Sequence, residues 1–158
     1  MTVVTVLGAG GNTVSLNFTA QQNTTIAQQL AGAITAGNKS GALIAASDAP
    51  GAPPPVPAGK HGEFVQTKNG ALFLPSGYQA LVETAKNAVV SGSAETGQMI
   101  LSGTATDLTF VAGGGSGRIA AAGSRNRIVA NTPGAWRIDT GDGDDTIEAT
   151  GGGANTIS

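Results

Sequence analysis

The chain has 158 residues, enough for one or two domains. Aromatic residues make up only 4% of it and charged residues 11%, whereas 25 residues are glycine, so a large aromatic core is excluded. The net charge of −2 gives no electrostatic basis for binding nucleic acid, and the absence of cysteine excludes disulfides and thiolate metal sites. No apolar run approaches the length of about 18 residues that crosses a bilayer, so we expect no membrane insertion.

The first predicted unit spans residues 1–48 and begins with a β-hairpin. Thr2–Leu7 and Thr13–Phe18 are rich in β-branched and apolar residues, and a glycine-rich loop separates them. This arrangement is typical of two antiparallel strands joined by a five-residue turn. The alternation of apolar and polar residues in the second strand predicts one buried face and one solvated face.

A helix of about 12 residues is expected to follow the hairpin. Asn23 or Thr24 suits the N-cap position, and the apolar residues that follow recur on one helical face. Gly37-Asn38 is predicted to end the helix, because glycine and asparagine tolerate the left-handed conformation of a helix C-terminus. Residues 42–46 fit either an extension of the helix or a short strand.

Residues 49–60 contain five prolines and are predicted to form an extended, polyproline-like connector, because proline blocks both a helix and a sheet ladder. Residues 61–90 are predicted to form a β-hairpin cap region. Two apolar runs, Glu63–Thr67 and Ala71–Leu74, flank Lys68-Asn69-Gly70, and Asn-Gly is the strongest short hairpin signal in the chain.

Residues 77–91 fit either a helix or two short strands. We favour strands, because Val90 stands eleven residues before Leu101, the first bulky residue of a repeat, and could start the coil that follows.

The last predicted unit, residues 91–158, carries one bulky residue every nine or ten positions. The repeating residues are Leu101, Phe110, Ile119, Ile128, Ile138, Ile147 and Ile157. A repeat this short holds one strand of three or four residues and one tight turn, and glycine-rich corners separate the strands. It predicts a parallel β-solenoid or β-roll in which the bulky residues stack inward. The predicted fold is therefore mainly β, with a small N-terminal α+β cap of hairpin plus helix.

The end of the chain carries a recognisable nonapeptide. Thr140–Glu148 matches the repeat G-G-x-G-x-D-x-U-x at four of its five fixed positions, and Thr150–Ser158 follows it with Asn155 in place of the aspartate. These residues resemble the hemolysin-type calcium-binding repeats of RTX proteins and the degenerate repeats of bacterial surface adhesins. The resemblance covers about 19 residues closely and nearly 60 loosely.

The resemblance implies a calcium ion at the corners of the coil. Asp145 takes the ligand position of the repeat, the carbonyl oxygens of Gly141 and Gly143 would assist it, and Asp142 lies in the same turn. The family places an aspartate at the same edge about 18 residues away, where this chain has Asn126. The alternative is a solvated acidic turn without an ion.

A second candidate surface consists of arginines and a tryptophan. Arg118, Arg127 and Arg137 each precede an inward isoleucine and should face outward, and Arg118 and Arg137 should share a face if two repeats make one turn. They would then contact an anionic polysaccharide or a protein partner; the alternative is that they protect exposed strands from aggregation. Trp136 would either plug the coil or stack on a sugar.

These patterns favour a non-catalytic secreted structural or adhesive protein. The sequence ends at Ser158, in the middle of the repeat pattern, so we expect it to be the N-terminal part of a larger RTX-like surface or biofilm-matrix protein. We also expect it to associate as a homo-oligomer or end to end. The N-terminus lacks the charge and apolar core of a signal peptide, so the export signal is expected elsewhere.

Two alternatives belong to other functional classes. A carbohydrate-active β-helix enzyme or polysaccharide-binding module would use Asp139, Asp142 and Asp144 beside Arg137. An ice- or surface-binding solenoid would need a flat ladder of outward threonines, of which only the beginning is present.

Overall fold

The computed structural model describes residues 1–49 and 51–158. It confirms the predicted fold class: the described chain is mainly β, with a helix after an N-terminal hairpin and then parallel sheets that form a β-solenoid of about six turns. Helix α1 spans Gln21–Ser40. The strands are β1 (Thr2–Leu7), β2 (Thr13–Phe18), β3 (Leu43–Ser47), β4 (His61–Gln66), β5 (Gly70–Phe73), β6 (Tyr78–Glu83), β7 (Asn87–Ser91), β8 (Gln98–Ser102), β9 (Asp107–Val111), β10 (Gly117–Ala121), β11 (Arg127–Val129), β12 (Trp136–Asp139), β13 (Thr146–Glu148) and β14 (Thr156–Ile157).

The solenoid is built from two parallel sheets. The first sheet has the strand order β14-β12-β10-β8-β6-β4-β3, and the second has the order β13-β11-β9-β7-β5. From β4 onward the chain alternates between the sheets, so each coil contributes one strand to each. Ile119 is the register partner of Ile100 and of Ile138, which makes one coil 19 residues long at this level (119 − 100 and 138 − 119).

The predicted ladder of bulky residues forms the core between the two sheets. Its fully buried members are Phe110, Ile119, Ile128 and Ile138. The assignment of Leu101 to this ladder is wrong: Ile100 is the rung, and Leu101 is buried on the opposite face of the first sheet. Side chains alternate between faces, so an error of one residue places a side chain on the wrong side. In the last coils Ile147 is partly buried and Ile157 is half exposed.

Glycines stack at one corner of successive coils. A Cβ built on Gly134 would lie 2.0 Å from the carbonyl oxygen of Gly115, and a Cβ on Gly153 would lie 2.1 Å from that of Gly134. Real Cβ atoms do not approach backbone so closely, so only glycine lets these corners stack at the spacing of neighbouring strands. The glycine-rich segments of the sequence are therefore packing positions as well as turns.

The hairpin predicted around Asn69-Gly70 is wrong. Strand β4 pairs in parallel with β3 and β6 in the first sheet, whereas β5 pairs with β7 in the second. Asn69-Gly70 is a corner of a coil, with Gly70 at a φ of 125°. A turn signal marks a change of direction but does not tell whether the next strand pairs with the previous one or lies opposite it. The two strands favoured for residues 77–91 are confirmed as β6 and β7, so the coils begin well before residue 91.

The N-terminal hairpin is confirmed, since β1 and β2 pair antiparallel from Thr2↔Phe18 onward. Helix α1 is longer than predicted: it has 20 residues, contains Asn23 within its first turn, and ends at Gly41 with a φ of 78°. Gly37 does not end the helix. A Cβ there would lie 2.8 Å from Cδ1 of Leu43, so this glycine allows α1 to pack closely on β3. Of the two structures that the sequence of residues 42–46 fits, a helix extension or a strand, the strand is therefore the one present.

Helix α1 and the hairpin cover the outer face of the first sheet. Their shared apolar cluster includes Leu30 and Ile34 of α1 together with Val82 and Leu101 of the sheet. This packing fixes the helix against the strands from which the candidate site is built.

The outer face of the second sheet differs from that of the first. Phe73, Val89 and Val111 lie on three neighbouring strands of it and remain 70%, 51% and 43% exposed.

The Pro-rich connector lies against the N-terminal end of the solenoid. Val56 packs on the interior cluster, and the hydroxyl of Tyr78 donates a hydrogen bond to the carbonyl oxygen of Pro54 at 2.5 Å. Pro50, which belongs to the predicted connector, lies outside the described residues. The connector thus shields the first rungs of the core.

Candidate functional site

An open groove of about 470 Å³ separates the N-terminal half of α1 from the first sheet. Its lining residues are Gln21, Gln22, Thr25, Ile26, Gln29 and Arg137. The lining combines amide, hydroxyl and guanidinium groups above one isoleucine. Amides and hydroxyls exchange hydrogen bonds with sugar hydroxyls, and a guanidinium pairs with a carboxylate or sulfate.

Two arginines lie side by side here: Arg137 lines the groove, and Arg118 lies next to it. Arg118 on β10 and Arg137 on β12 are register partners, which confirms that they share a face. Nη2 of Arg118 donates a hydrogen bond to Oε1 of Gln29 at 2.7 Å, while Arg137 is exposed. Neither arginine takes part in the ion pairs found within residues 1–49 and 51–158. Both guanidinium groups therefore keep donors available for an anion.

A buried hydrogen-bond network holds the helix in place beside the arginines. Nδ2 of Asn23 donates to Oδ1 of Asp139 at 2.7 Å and to the backbone carbonyl oxygen of Asp139 at 3.0 Å. The other carboxylate oxygen of Asp139 accepts a hydrogen bond from Ser158 at 2.8 Å. Asp139 is thus occupied in fixing α1 to the end of β12, and the groove has a rigid wall.

Trp136 does not belong to the groove. It is 1% exposed, its Nε1 donates to Oγ1 of Thr132 at 2.9 Å, and its ring lies 5.9 Å from that of Phe110. The prediction that Trp136 stacks on a sugar is therefore wrong, because the ring is buried. The prediction that it plugs the coil is confirmed. Its register partner Gly117 explains why: a Cβ on that glycine would lie 2.8 Å from the indole, so glycine makes room for the ring inside the coil.

The acidic corner uses its aspartate for hydrogen bonds between coils. Oδ1 of Asp145 accepts from the backbone N of Asn126 at 2.7 Å and from its Nδ2 at 3.1 Å. Gly141 and Gly143 adopt φ angles of 69° and 149°, and Asp142 is exposed. The side chains of this corner do not by themselves form a calcium site. Asn126 turns its amide nitrogen toward Asp145, whereas calcium takes about six to eight oxygen ligands. Calcium binding at this corner stays a prediction.

Similar hydrogen bonds recur at other corners, and the sequence patterns above did not predict them. Each joins an Asx carboxylate or amide oxygen to a backbone N of a neighbouring coil: Asn69 with Asn87, Asp107 with Arg125, Asn131 with Thr150, and Asn155 with Trp136. The partners stand 18 or 19 residues apart, the length of one coil. The spacing of Asp107, Asn126 and Asp145 is the signal that could have revealed this ladder.

Two buried glutamates were also missed. Oε2 of Glu63, between the first sheet and α1, accepts a hydrogen bond from Nδ2 of Asn38 at 2.9 Å, and burial raises the pKa of Glu63 to about 7. Glu83 lies inside the coil, where burial and then the like charge of Asp48 raise its pKa to about 9. Both stand in strands next to apolar residues, which is the only sequence signal of their burial.

The carboxylates of the enzyme alternative have different environments. Asp139 is buried, whereas Asp142 and Asp144 are exposed on the corner that follows. Within the described parts of the chain, no three His, Asp or Glu side chains are grouped so that they could hold a metal ion. The threonines of the ice-binding alternative, Thr146 and Thr156, lie on strands of different sheets.

No protein-family model matches this chain, and no curated protein or solved structure is significantly similar to it. Residues 1–49 and 51–158 include no helix with the length and apolar character of a membrane span.

Proposed function

We propose that this chain is a non-catalytic, secreted scaffold that binds an acidic polysaccharide in the groove between α1 and the first sheet. The observation that carries the proposal is the pair Arg118 and Arg137, which lie on adjacent strands beside the amide of Gln29. Two cations at strand spacing match the repeated carboxylate or sulfate groups of such a polymer. The neighbouring glutamines supply partners for its hydroxyls.

The solenoid supports the scaffold part of the proposal. Coils tied together by a buried ladder and by Asx hydrogen bonds form an extended framework that holds a surface at fixed spacing. We place the chain within a larger RTX-like surface or biofilm-matrix protein. Self-association belongs to this proposal, and the exposed Phe73, Val89 and Val111 support it, because grouped apolar side chains on a surface mark contact sites.

The test is titration of the protein with polygalacturonate, a polyuronate, in comparison with neutral dextran. We expect binding of the polyuronate that weakens with salt, and a loss of about tenfold in affinity for Arg137→Gln and more for the double variant with Arg118→Gln. Arg127→Gln is the matched control, since Arg127 is exposed on the second sheet. Equal losses for Arg127→Gln and Arg137→Gln, or equal binding of dextran, would contradict the groove.

A further inference from the structure

Three polar side chains form a column inside the coil. Gln66, Glu83 and Ser102 are register partners on β4, β6 and β8, and each is the last inward residue before a corner. All three are buried, with exposures of 4%, 0% and 0%. Polar groups in such a position must satisfy their hydrogen bonds within the protein, because water does not reach them.

Glutamines at two interior corners act as donors to backbone carbonyls. Nε2 of Gln66 donates to the carbonyl oxygens of Lys68 and Gly70 at 3.0 and 3.2 Å, both in the corner that follows it. Gln98, at the opposite corner of a later coil, donates to the carbonyl oxygens of Ser93 and Glu95 at 3.1 and 2.8 Å. At these two interior corners, backbone carbonyl oxygens therefore receive hydrogen bonds from side-chain donors.

Glu83 occupies the corresponding position one coil after Gln66. Neither of its carboxyl oxygens has a hydrogen-bond partner, and Oε1 of Gln66 and Oγ of Ser102 are also unpartnered. A carboxylate only accepts hydrogen bonds, whereas a carboxylic acid has one O–H to donate. A protonated Glu83 therefore adds an O–H donor beside the unpartnered oxygen of Gln66, whereas an ionised Glu83 adds only acceptors to a column that already holds unpartnered ones.

The surroundings of Glu83 oppose its ionisation. Its register partners Gln66 and Ser102 are uncharged, and the buried residues that follow it, Ala85 and Ala88, are apolar. The charged group that acts on it is Asp48, whose like charge disfavours a second carboxylate. Lys86, in the corner after β6, is exposed to solvent. A charge on Glu83 would thus be buried without compensation, which is strongly destabilising.

We propose that Glu83 is a proton-dependent lock on the corner between β6 and β7. The protonated acid closes the interior of the coil, and loss of the proton opens the corner so that the carboxylate reaches water. Burial raises the pKa of Glu83 to about 9 from its ordinary value of 4.5, so the unfolded chain binds fewer protons than the folded chain between these values. Stability therefore falls as pH rises through this interval, by at most about tenfold in the folding equilibrium constant per pH unit.

The first measurement is denaturant unfolding of the full chain between pH 7 and 9.5, followed by the fluorescence of the sole tryptophan. This range lies above the interval in which Glu63 contributes. We expect the wild type to lose stability with rising pH, and Glu83→Gln to remove most of that loss and to be the more stable protein at pH 9. The exposed Glu148 is the matched control, so Glu148→Gln should retain the wild-type slope.

The second measurement is amide hydrogen exchange, compared between the wild type and Glu83→Gln at the same pH so that intrinsic rates cancel. We expect faster exchange of residues 84–91 in the wild type at pH 9 and a difference of about twofold or less at pH 4.5, where about half of the carboxyl groups stay protonated even in the open corner. Both measurements are repeated on Glu83→Met, an apolar variant of similar length, in case the amide of Glu83→Gln does not fit the interior. Wild-type pH slopes in both Glu83 variants, or a Glu83→Gln protein less stable than the wild type at pH 9, would overturn the proposal.

Discussion

The side chain of Asp145 binds the backbone N and the side-chain Nδ2 of Asn126, one coil earlier in the chain, through a single oxygen at 2.7 and 3.1 Å. Asn126 in turn accepts a hydrogen bond from the backbone N of Leu108 at 3.1 Å, in the coil before that. Three successive coils are therefore connected along one corner by side chains that stand 19 residues apart. The aspartate that resembles a calcium ligand is part of this connection.

Replacement of Asp145 tests the structural role of the corner. We expect Asp145→Ala to lower the free energy of unfolding by about 1–3 kcal/mol in the presence of a chelator, because two donors of Asn126 lose their acceptor. Asp144→Ala, at an exposed neighbour, is the control and should cost less than about 0.5 kcal/mol. Denaturant unfolding measures both. A cost of Asp145→Ala that exists only in added calcium would instead assign the corner to the ion.

The glycine corners make a second prediction. Gly134→Ala should destabilise the protein by several kcal/mol or prevent folding, because its Cβ would lie 2.0 Å from the carbonyl oxygen of Gly115 and the coils would have to separate. Gly152→Ala is the matched control, since a Cβ there meets nothing within 4 Å. Thermal unfolding followed by circular dichroism compares the two variants, and similar melting temperatures would count against close corner stacking.

The core ladder predicts that alanine substitutions destabilise the protein by amounts that depend on how deeply each rung is buried. Ile119→Ala should lower the free energy of unfolding by about 2–5 kcal/mol, because the side chain is fully buried between two rungs and its loss leaves a cavity. Ile157→Ala should cost less than about 1 kcal/mol, since that side chain is half exposed. Denaturant titrations provide both values, and a larger cost at Ile157 would contradict the described packing.

Glu63 predicts a second pH dependence of stability, which ends at lower pH than that of Glu83. Its pKa is raised to about 7 by burial, although the hydrogen bond from Asn38 acts in the opposite direction. Between pH 4.5 and 7 the unfolded chain releases this proton before the folded chain does, so stability should fall as pH rises.

Glu63→Gln should make the fall of stability between pH 4.5 and 7 less steep and leave only the part that Glu83 contributes, as measured by urea unfolding at each pH. The difference between variant and wild type should stay constant above pH 7. A wild-type slope in Glu63→Gln would show that Glu63 is ionised in the folded protein throughout this range.

The architecture was predictable because its causes are local. A bulky residue every nine or ten positions with glycine between leaves room only for short strands and corners, and Ile119, Ile128 and Ile138 are rungs as predicted. The side on which Arg118 and Arg137 lie follows from the same alternation. The error at Leu101 arose because the step from Ile100 to Phe110 is ten residues and not nine, and one residue more or less exchanges the inner face for the outer.

The candidate groove was only half predictable. The two arginines were visible in the repeat, but the glutamines of α1 that complete the groove stand about 90 residues earlier in the chain, as in the Gln29–Arg118 pair. Their meeting depends on the docking of the helix on the first sheet and on the hydrogen bonds between Asn23 and Asp139. No spacing within the repeat contains that information.

The amino-acid sequence by itself determined that this protein is a solenoid of short parallel strands, because periodic apolar residues and glycines act on their nearest neighbours in the coil. Only the tertiary structure decided that the first sheet begins at β3, that Trp136 fills the interior, and that Glu83 is buried with both carboxyl oxygens unpartnered. Those properties depend on which residues a corner of a given length brings into register, and register is set by the packing of whole coils against one another.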